Sequence, residues 1–131
     1  MKRINRENYL SILKNFKDLQ IIKVITGIRR CGKSTLLEIF QDYLKECGVE
    51  EKQIISINFE NADYEELQDR KKLHEYIKER LVKGKKTYVF LDEIQNVTQF
   101  EKTVDSLFIN KDVDLYITGS NAYLLSSELA T

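Results

Sequence analysis

The sequence contains no proline, only two cysteines, and no surplus of either charge. Without proline, a repeat or a low-complexity tract, nothing marks a linker. The 131 residues therefore read as one domain, long enough to bury a real core. The cysteines, Cys31 and Cys47, stand apart with no partner pattern, which supports neither a metal site nor a disulfide framework. Cys31 reads as a small side chain in a crowded loop and Cys47 as helix packing; a reduced, cytoplasmic setting follows. Lysine plus arginine and aspartate plus glutamate both total 21, so the chain carries no global electrostatic footprint for nucleic acid or an anionic membrane. No apolar run approaches the roughly 20 residues that span a bilayer. The opening Met1-Lys2-Arg3-Ile4-Asn5-Arg6-Glu7 is basic but has no apolar stretch behind it, unlike a secretory signal.

What the sequence does have is Gly27-Ile28-Arg29-Arg30-Cys31-Gly32-Lys33-Ser34, which fits G-x-x-x-x-G-K-[ST]. An apolar run, Ile21-Ile22-Lys23-Val24-Ile25-Thr26, precedes it and reads as a buried strand. Thr35-Leu36-Leu37-Glu38-Ile39-Phe40 follows and opens an amphipathic helix. In that strand–loop–helix context, backbone N–H groups of residues 27–35 converge on a β-phosphate, and the helix N-terminus adds partial positive charge. Lys33 can reach the β- and γ-phosphates, and the Ser34 hydroxyl can ligate Mg²⁺. Gly27 and Gly32 allow a close phosphate approach that a Cβ would obstruct. The bland alternative, a chance glycine turn, does not account for Gly, Gly, Lys and Ser together with the correct flanks. The chain is expected to bind a nucleoside triphosphate.

Four strands alternate with helices. Helical spacing first joins Tyr9, Ile12, Leu13, Phe16 and Leu19, with Asn5 as N-cap. The helix after the loop turns Leu36, Leu37, Phe40, Tyr43, Leu44 and Cys47 inward and ends at Gly48. Gln53-Ile54-Ile55-Ser56-Ile57-Asn58-Phe59 is a strand. Residues 63–82 form a turn of helix and then a longer one closed by Gly84, with a solvated charged face. A third strand, Thr87-Tyr88-Val89-Phe90-Leu91, runs into Asp92-Glu93. Thr98-Gln99-Phe100-Glu101 reads as a capping box that starts a helix with Phe100, Val104, Leu107 and Phe108 inward. The fourth strand, Val113-Asp114-Leu115-Tyr116-Ile117, leads to Thr118-Gly119-Ser120-Asn121. This alternation implies an α/β fold with a parallel sheet covered on both faces. Leu124, Leu125 and Leu129 begin one more apolar pattern, so the domain over 1–131 reads as truncated, with its first strand at an open edge.

Asp92 closes an apolar strand, where it can hold Mg²⁺ through a water while Ser34 ligates the metal directly. Glu93, next to it, can orient and deprotonate an attacking water. The alternative, that both acids merely cap a turn, loses force beside a phosphate loop, because the two motifs complete one chemistry. Asn121 or Ser120 can hydrogen-bond the γ-phosphate or the water, and either is equally suited to cap a helix. Arg29 and Arg30 carry forks suited to phosphate, with solvent exposure as the alternative. His74 reads as a surface residue, and no chemistry demands Gln95.

The segments from Thr26 to Leu37, Phe90-Leu91-Asp92-Glu93-Ile94-Gln95 and Ile117-Thr118-Gly119-Ser120-Asn121-Ala122 together resemble one group. It is the AAA+-like ATPases of bacteria and archaea, whose N-terminal ATPase module precedes a C-terminal domain of unassigned function. The resemblance implies a three-layer α/β/α core with sheet order 5-1-4-3-2 and ATP with Mg²⁺ as ligand. It implies Lys33 and Ser34 on phosphate and metal, Asp92 on metal, Glu93 as base, and Asn121 or Ser120 as sensor. The chain departs from the pattern by stopping before a fifth strand, the helical lid and the arginine finger. GTP is disfavoured separately, since Asn110-Lys111-Asp112 only half resembles a guanine motif. The leading expectation is the core of a Mg²⁺-dependent ATPase. The competing ones are an ATP-gated switch that binds a partner with little turnover, and a DNA-handling ATPase suggested by Arg29, Arg30 and Lys83-Gly84-Lys85-Lys86; an oligomer or a partner protein is expected only for the full-length form.

Overall fold

Strands rich in Val, Ile, Leu and aromatic residues on both faces cannot stand against water on either side, and the chain covers them with two helical layers. A computed structural model describes the backbone of residues 6–25 and 33–119, with side chains from 10–25 and 35–119. The order is α1 (Arg6–Phe16), β1 (Lys23–Ile25), α2 (Lys33–Glu46), β2 (Ile54–Asn58), α3 (Arg70–Arg80), β3 (Thr87–Asp92), α4 (Phe100–Ile109) and β4 (Val113–Thr118). Short 3₁₀ segments lie at Glu51–Gln53, Ala62–Gln68 and Ile94–Asn96. The four strands are parallel in the order β1-β4-β3-β2. This is the expected order, 5-1-4-3-2, over the strands described.

Alternation along β3 divides the core. Val89 and Leu91 join Leu73, Ile77, Val104 and Leu107 under α3 and α4. Tyr88 and Phe90 face the other way, with Leu36, Leu37, Phe40 and Leu44 of α2 and Leu13 of α1. In that second layer the register sets Phe90 beside Tyr116, ring stacked on ring at 4.7 Å, and Phe40 closes on Tyr116 at 5.1 Å. Offset aromatic pairs of this kind contribute about 0.5–1.5 kcal/mol beyond their buried area.

Beneath Tyr116, at the amino-terminal end of the sheet, lies a buried polar network that sequence reading did not anticipate. Lys23 and Asp114 form an ion pair whose side chains are only 3% and 1% exposed. Lys23 Nζ also donates to the Leu19 carbonyl at 2.7 Å. Asp114 Oδ2 accepts from the Tyr116 hydroxyl at 2.7 Å and from the Asp18 N–H at 3.0 Å. Asp18 sits at φ 67° in the turn between α1 and β1, and its carboxylate accepts from Tyr88 at 2.7 Å. Burial holds the Lys23 ammonium below the usual lysine range, against the opposing pull of Asp114. Burial and then the Asp114 carboxylate push the Tyr116 phenol above its ordinary range.

Several local expectations are corrected. Of the residues joined by helical spacing at the start of the chain, Leu13 is buried, but Ile12, Phe16 and Leu19 are 41–48% exposed, and Leu19 lies beyond the end of α1 at Phe16. Cys47 does not pack the core; it lies just past α2 and is exposed. The capping box at Thr98 does not form. Gln99 takes the cap position in a left-handed conformation, φ 51°, with no side-chain cap bond. Thr98 instead directs its N–H and its hydroxyl to the Gln68 carbonyl at 3.0 and 3.3 Å, and Gln99 Oε1 accepts from Arg70. Tertiary partners outcompete the local cap. Gln53 leaves the strand for a turn, where its side chain bridges the Glu50 N–H and the Lys86 carbonyl. His74 is half-buried and meets Ser106 Oγ at 3.1 Å, tying α3 to α4. Gly48 ends the α2 segment at positive φ, whereas α3 already stops at Arg80 with Leu81 as its cap, and Gly84, also at positive φ, belongs to the separate turn from Val82 to Lys85.

Candidate functional site

Parallel strands deliver their carboxyl ends to one edge of the sheet, and ligands of open α/β sheets bind there. Here the register aligns Asn58 with Asp92 and Ile25 with Thr118, and the pair Leu91–Ile117 places Asp92 next to Thr118. One row therefore runs Asn58, Asp92, Thr118, Ile25 across the sheet. Ile25 is the last residue described before 26–32, and α2 resumes at Lys33. Leu36 and Leu37 share a core cluster with Ile25, Phe90 and Tyr116, so the first turns of α2 sit over the same end of the sheet. The described residues that flank the phosphate-loop pattern, Ile25 and the first turns of α2, thus both lie at this end of the sheet.

By parity along β3, Asp92 follows Tyr88 and Phe90 toward the α2 layer. It is buried, 5% exposed. A carboxylate so placed needs polar partners, and the Thr118 hydroxyl donates to its Oδ1. Glu93 then leaves the strand in a left-handed conformation, φ 59° and ψ 53°, a costly place for a residue with a Cβ. Its N–H donates to Thr118 Oγ1 at 2.9 Å, and its carbonyl accepts from Asn96 N–H at 3.2 Å and Asn96 Nδ2 at 3.0 Å. Ile94 and Val97, both buried, anchor the far side of the turn. The Glu93 carboxylate, half-buried, accepts from Gln95 Nε2 at 2.8 Å.

Of the residues singled out from sequence, Asp92 and Glu93 are therefore together at the carboxyl edge, with Thr35 exposed near the start of α2. Lys33 and Ser34 open α2, and their side chains lie outside the described residues. Gly27, Ile28, Arg29, Arg30, Cys31, Gly32, Ser120 and Asn121 also lie outside them. Sequence reasoning passed over Thr118. The available signal was a hydroxyl directly after the apolar run Leu115-Tyr116-Ile117.

Among the described residues no group of three or more His, Cys, Asp or Glu side chains forms a metal cage. A single buried carboxylate offering oxygen fits Mg²⁺, which keeps most of its waters and takes one or two carboxylates plus phosphate oxygens. It does not suit a structural Zn²⁺ site. No helix of the described residues is long and apolar enough to cross a membrane.

Comparison with known proteins agrees with the α/β fold. A family model described as "AAA domain" matches residues 20–131. An uncharacterized protein of Haemophilus influenzae is 45% identical over 129 residues, covering 98% of this chain and 32% of its own length. An uncharacterized protein of Methanocaldococcus jannaschii is 34% identical over 131 residues, covering 99% of this chain and 27% of its own. The chain thus spans about a third or less of these relatives. No solved structure matches.

Proposed function

The chain belongs to the AAA domain family of ATPase-like, nucleotide-binding modules, and from that premise we propose that it binds ATP with Mg²⁺ and hydrolyses the β–γ bond. The observation that carries the reading is Asp92-Glu93 at the carboxyl end of β3, separated only by Thr118 of β4 from Ile25, the last described residue before the phosphate-loop segment. In this reading residues 27–35 wrap the phosphates with backbone N–H groups, and Lys33 neutralises β- and γ-oxygens. Ser34 and Asp92 would hold the metal, which would supply positive charge against the charge developing on the phosphate. Glu93 orients the attacking water and accepts its proton, and Ser120 or Asn121 contacts the γ-phosphate. Following the length of the relatives, we also propose that the lid and any arginine finger lie outside residues 1–131. Net charge of zero gives the DNA-handling reading no support.

A second reading, an ATP-gated switch with little turnover, draws on one contact. The Gln95 amide donates to Glu93 Oε1, which occupies a carboxylate oxygen that would otherwise face an attacking water. Sustained turnover that Glu93→Gln abolishes would refute the switch.

The binding claim is tested by Lys33→Ala. Loss of one charge-assisted contact to phosphate, about 2–3 kcal/mol, is expected to weaken Mg²⁺-ATP binding on the order of 30–150-fold by calorimetry. Undiminished binding would contradict the proposal.

A further inference from the structure

Thr118 closes β4 with no exposed surface, and its hydroxyl is used twice. The Glu93 N–H can only donate, so Thr118 Oγ1 accepts there, at 2.9 Å. Its one proton then goes to Asp92 Oδ1. A single side chain thus ties the carboxylate at the end of β3 to the backbone of the next residue.

We propose that Thr118 is a positioning residue that sets Asp92 and Glu93 relative to each other for metal-dependent hydrolysis. The inference rests on the roles given to those two acids above. Two arguments carry it. A carboxylate pinned at one oxygen cannot rotate freely about its terminal torsion, so its other oxygen is held in one direction. In addition, extended backbone would send Glu93 after Leu91 and Val89 into the α3–α4 layer, away from Asp92. The left-handed turn at Glu93 breaks that alternation. Such a conformation persists only where the surroundings hold it, and the Glu93 N–H bond to Thr118 is one of those restraints. Gln95 adds a second, on the carboxylate itself. Loss of the Thr118 hydroxyl therefore disturbs the direction of the metal-side oxygen and the direction of the base together.

Thr118→Val keeps the shape and deletes both bonds; Thr118→Ser keeps both. In the intact protein, Thr118→Val is expected to lower kcat roughly 10–100-fold, the usual cost of removing a partner that orients a metal ligand. The Mg²⁺ concentration for half-maximal turnover rises, while KM for ATP at saturating Mg²⁺ stays within about 3-fold, because the phosphate loop is untouched. Mn²⁺ binding in the presence of ATP, read by electron paramagnetic resonance, weakens in the same variant without reference to turnover. Thr118→Ser restores both readouts. In the unaltered protein the Glu93 amide is expected to be protected from hydrogen exchange, a measurement that can be made even where Thr118→Val fails to fold.

Wild-type kcat and Mn²⁺ affinity in a folded Thr118→Val protein would overturn the inference. So would a Glu93 amide that exchanges as fast as an exposed turn. Full turnover in Glu93→Gln would instead overturn the parent reading of the base. Turnover lost in Glu93→Gln but normal in Thr118→Val would remove the positioning role alone.

Discussion

Glu93→Gln is expected to bind Mg²⁺-ATP with near wild-type affinity and to hydrolyse it roughly 10²–10⁴-fold more slowly, the range for loss of a general base. Glutamine keeps the length and hydrogen-bonding reach of the side chain but cannot accept a proton from water. The backbone bonds at this position, to Thr118 Oγ1 and Asn96, do not involve the carboxylate and survive the substitution. The left-handed turn therefore stays, and binding and chemistry separate. Single-turnover hydrolysis beside calorimetric binding makes the comparison. Equal loss of both would mean that the substitution unfolds the turn, and equal retention of both would remove Glu93 from the mechanism.

Asp114→Ala carries the largest expected effect on stability, about 3–5 kcal/mol, because it leaves the Lys23 ammonium buried without its counter-charge. The Asp18 N–H and the Tyr116 hydroxyl lose their acceptor at the same time. Such a loss is a large part of the 5–15 kcal/mol that holds a typical domain folded. The sign reverses for a paired replacement. Lys23→Met with Asp114→Leu removes both charges, and swaps of that kind are often neutral or stabilising. Urea unfolding of the two single variants and the double variant decides this: the double is expected to lose much less than the sum of the singles. An Asp114→Ala protein within about 1 kcal/mol of wild type would show that the pair is not closed to water.

The same network shows why some features were legible in the sequence and others were not. Strand identity follows from local apolar runs, so β2, β3 and β4 stand close to where periodicity places them. The run from Ile21 yields only Lys23–Ile25 as strand, since Ile21 is still engaged with the Leu19 carbonyl in the preceding turn. Lys23 and Asp114 each interrupt an apolar strand near its start, and parallel pairing of β1 with β4 brings them together. The charge interruptions were visible; the pairing needed the strand order. The failed cap at Thr98 has the same origin, because its competitor, Gln68, lies 30 residues away. Ile12, Phe16 and Leu19 satisfied helical spacing, yet spacing cannot say how much of a helix the sheet covers.

The acidic pair was readable because its chemistry is local: an apolar strand ending in Asp92, then Glu93. Its organisation was not. Thr118 lies 26 residues from Asp92 and meets it only through the β3–β4 register. A left-handed Glu93 has no sequence signature either, since glycine rather than glutamate is the usual occupant of that conformation.

Phosphate release from ATP by the intact protein, with Mg²⁺ and with the metal chelated, tests the central claim most directly. Turnover that needs Mg²⁺, disappears on chelation and falls in Lys33→Ala is the expected result. Hydrolysis that persists with the metal removed, or a protein that neither binds nor hydrolyses ATP with Mg²⁺ present, would contradict the account.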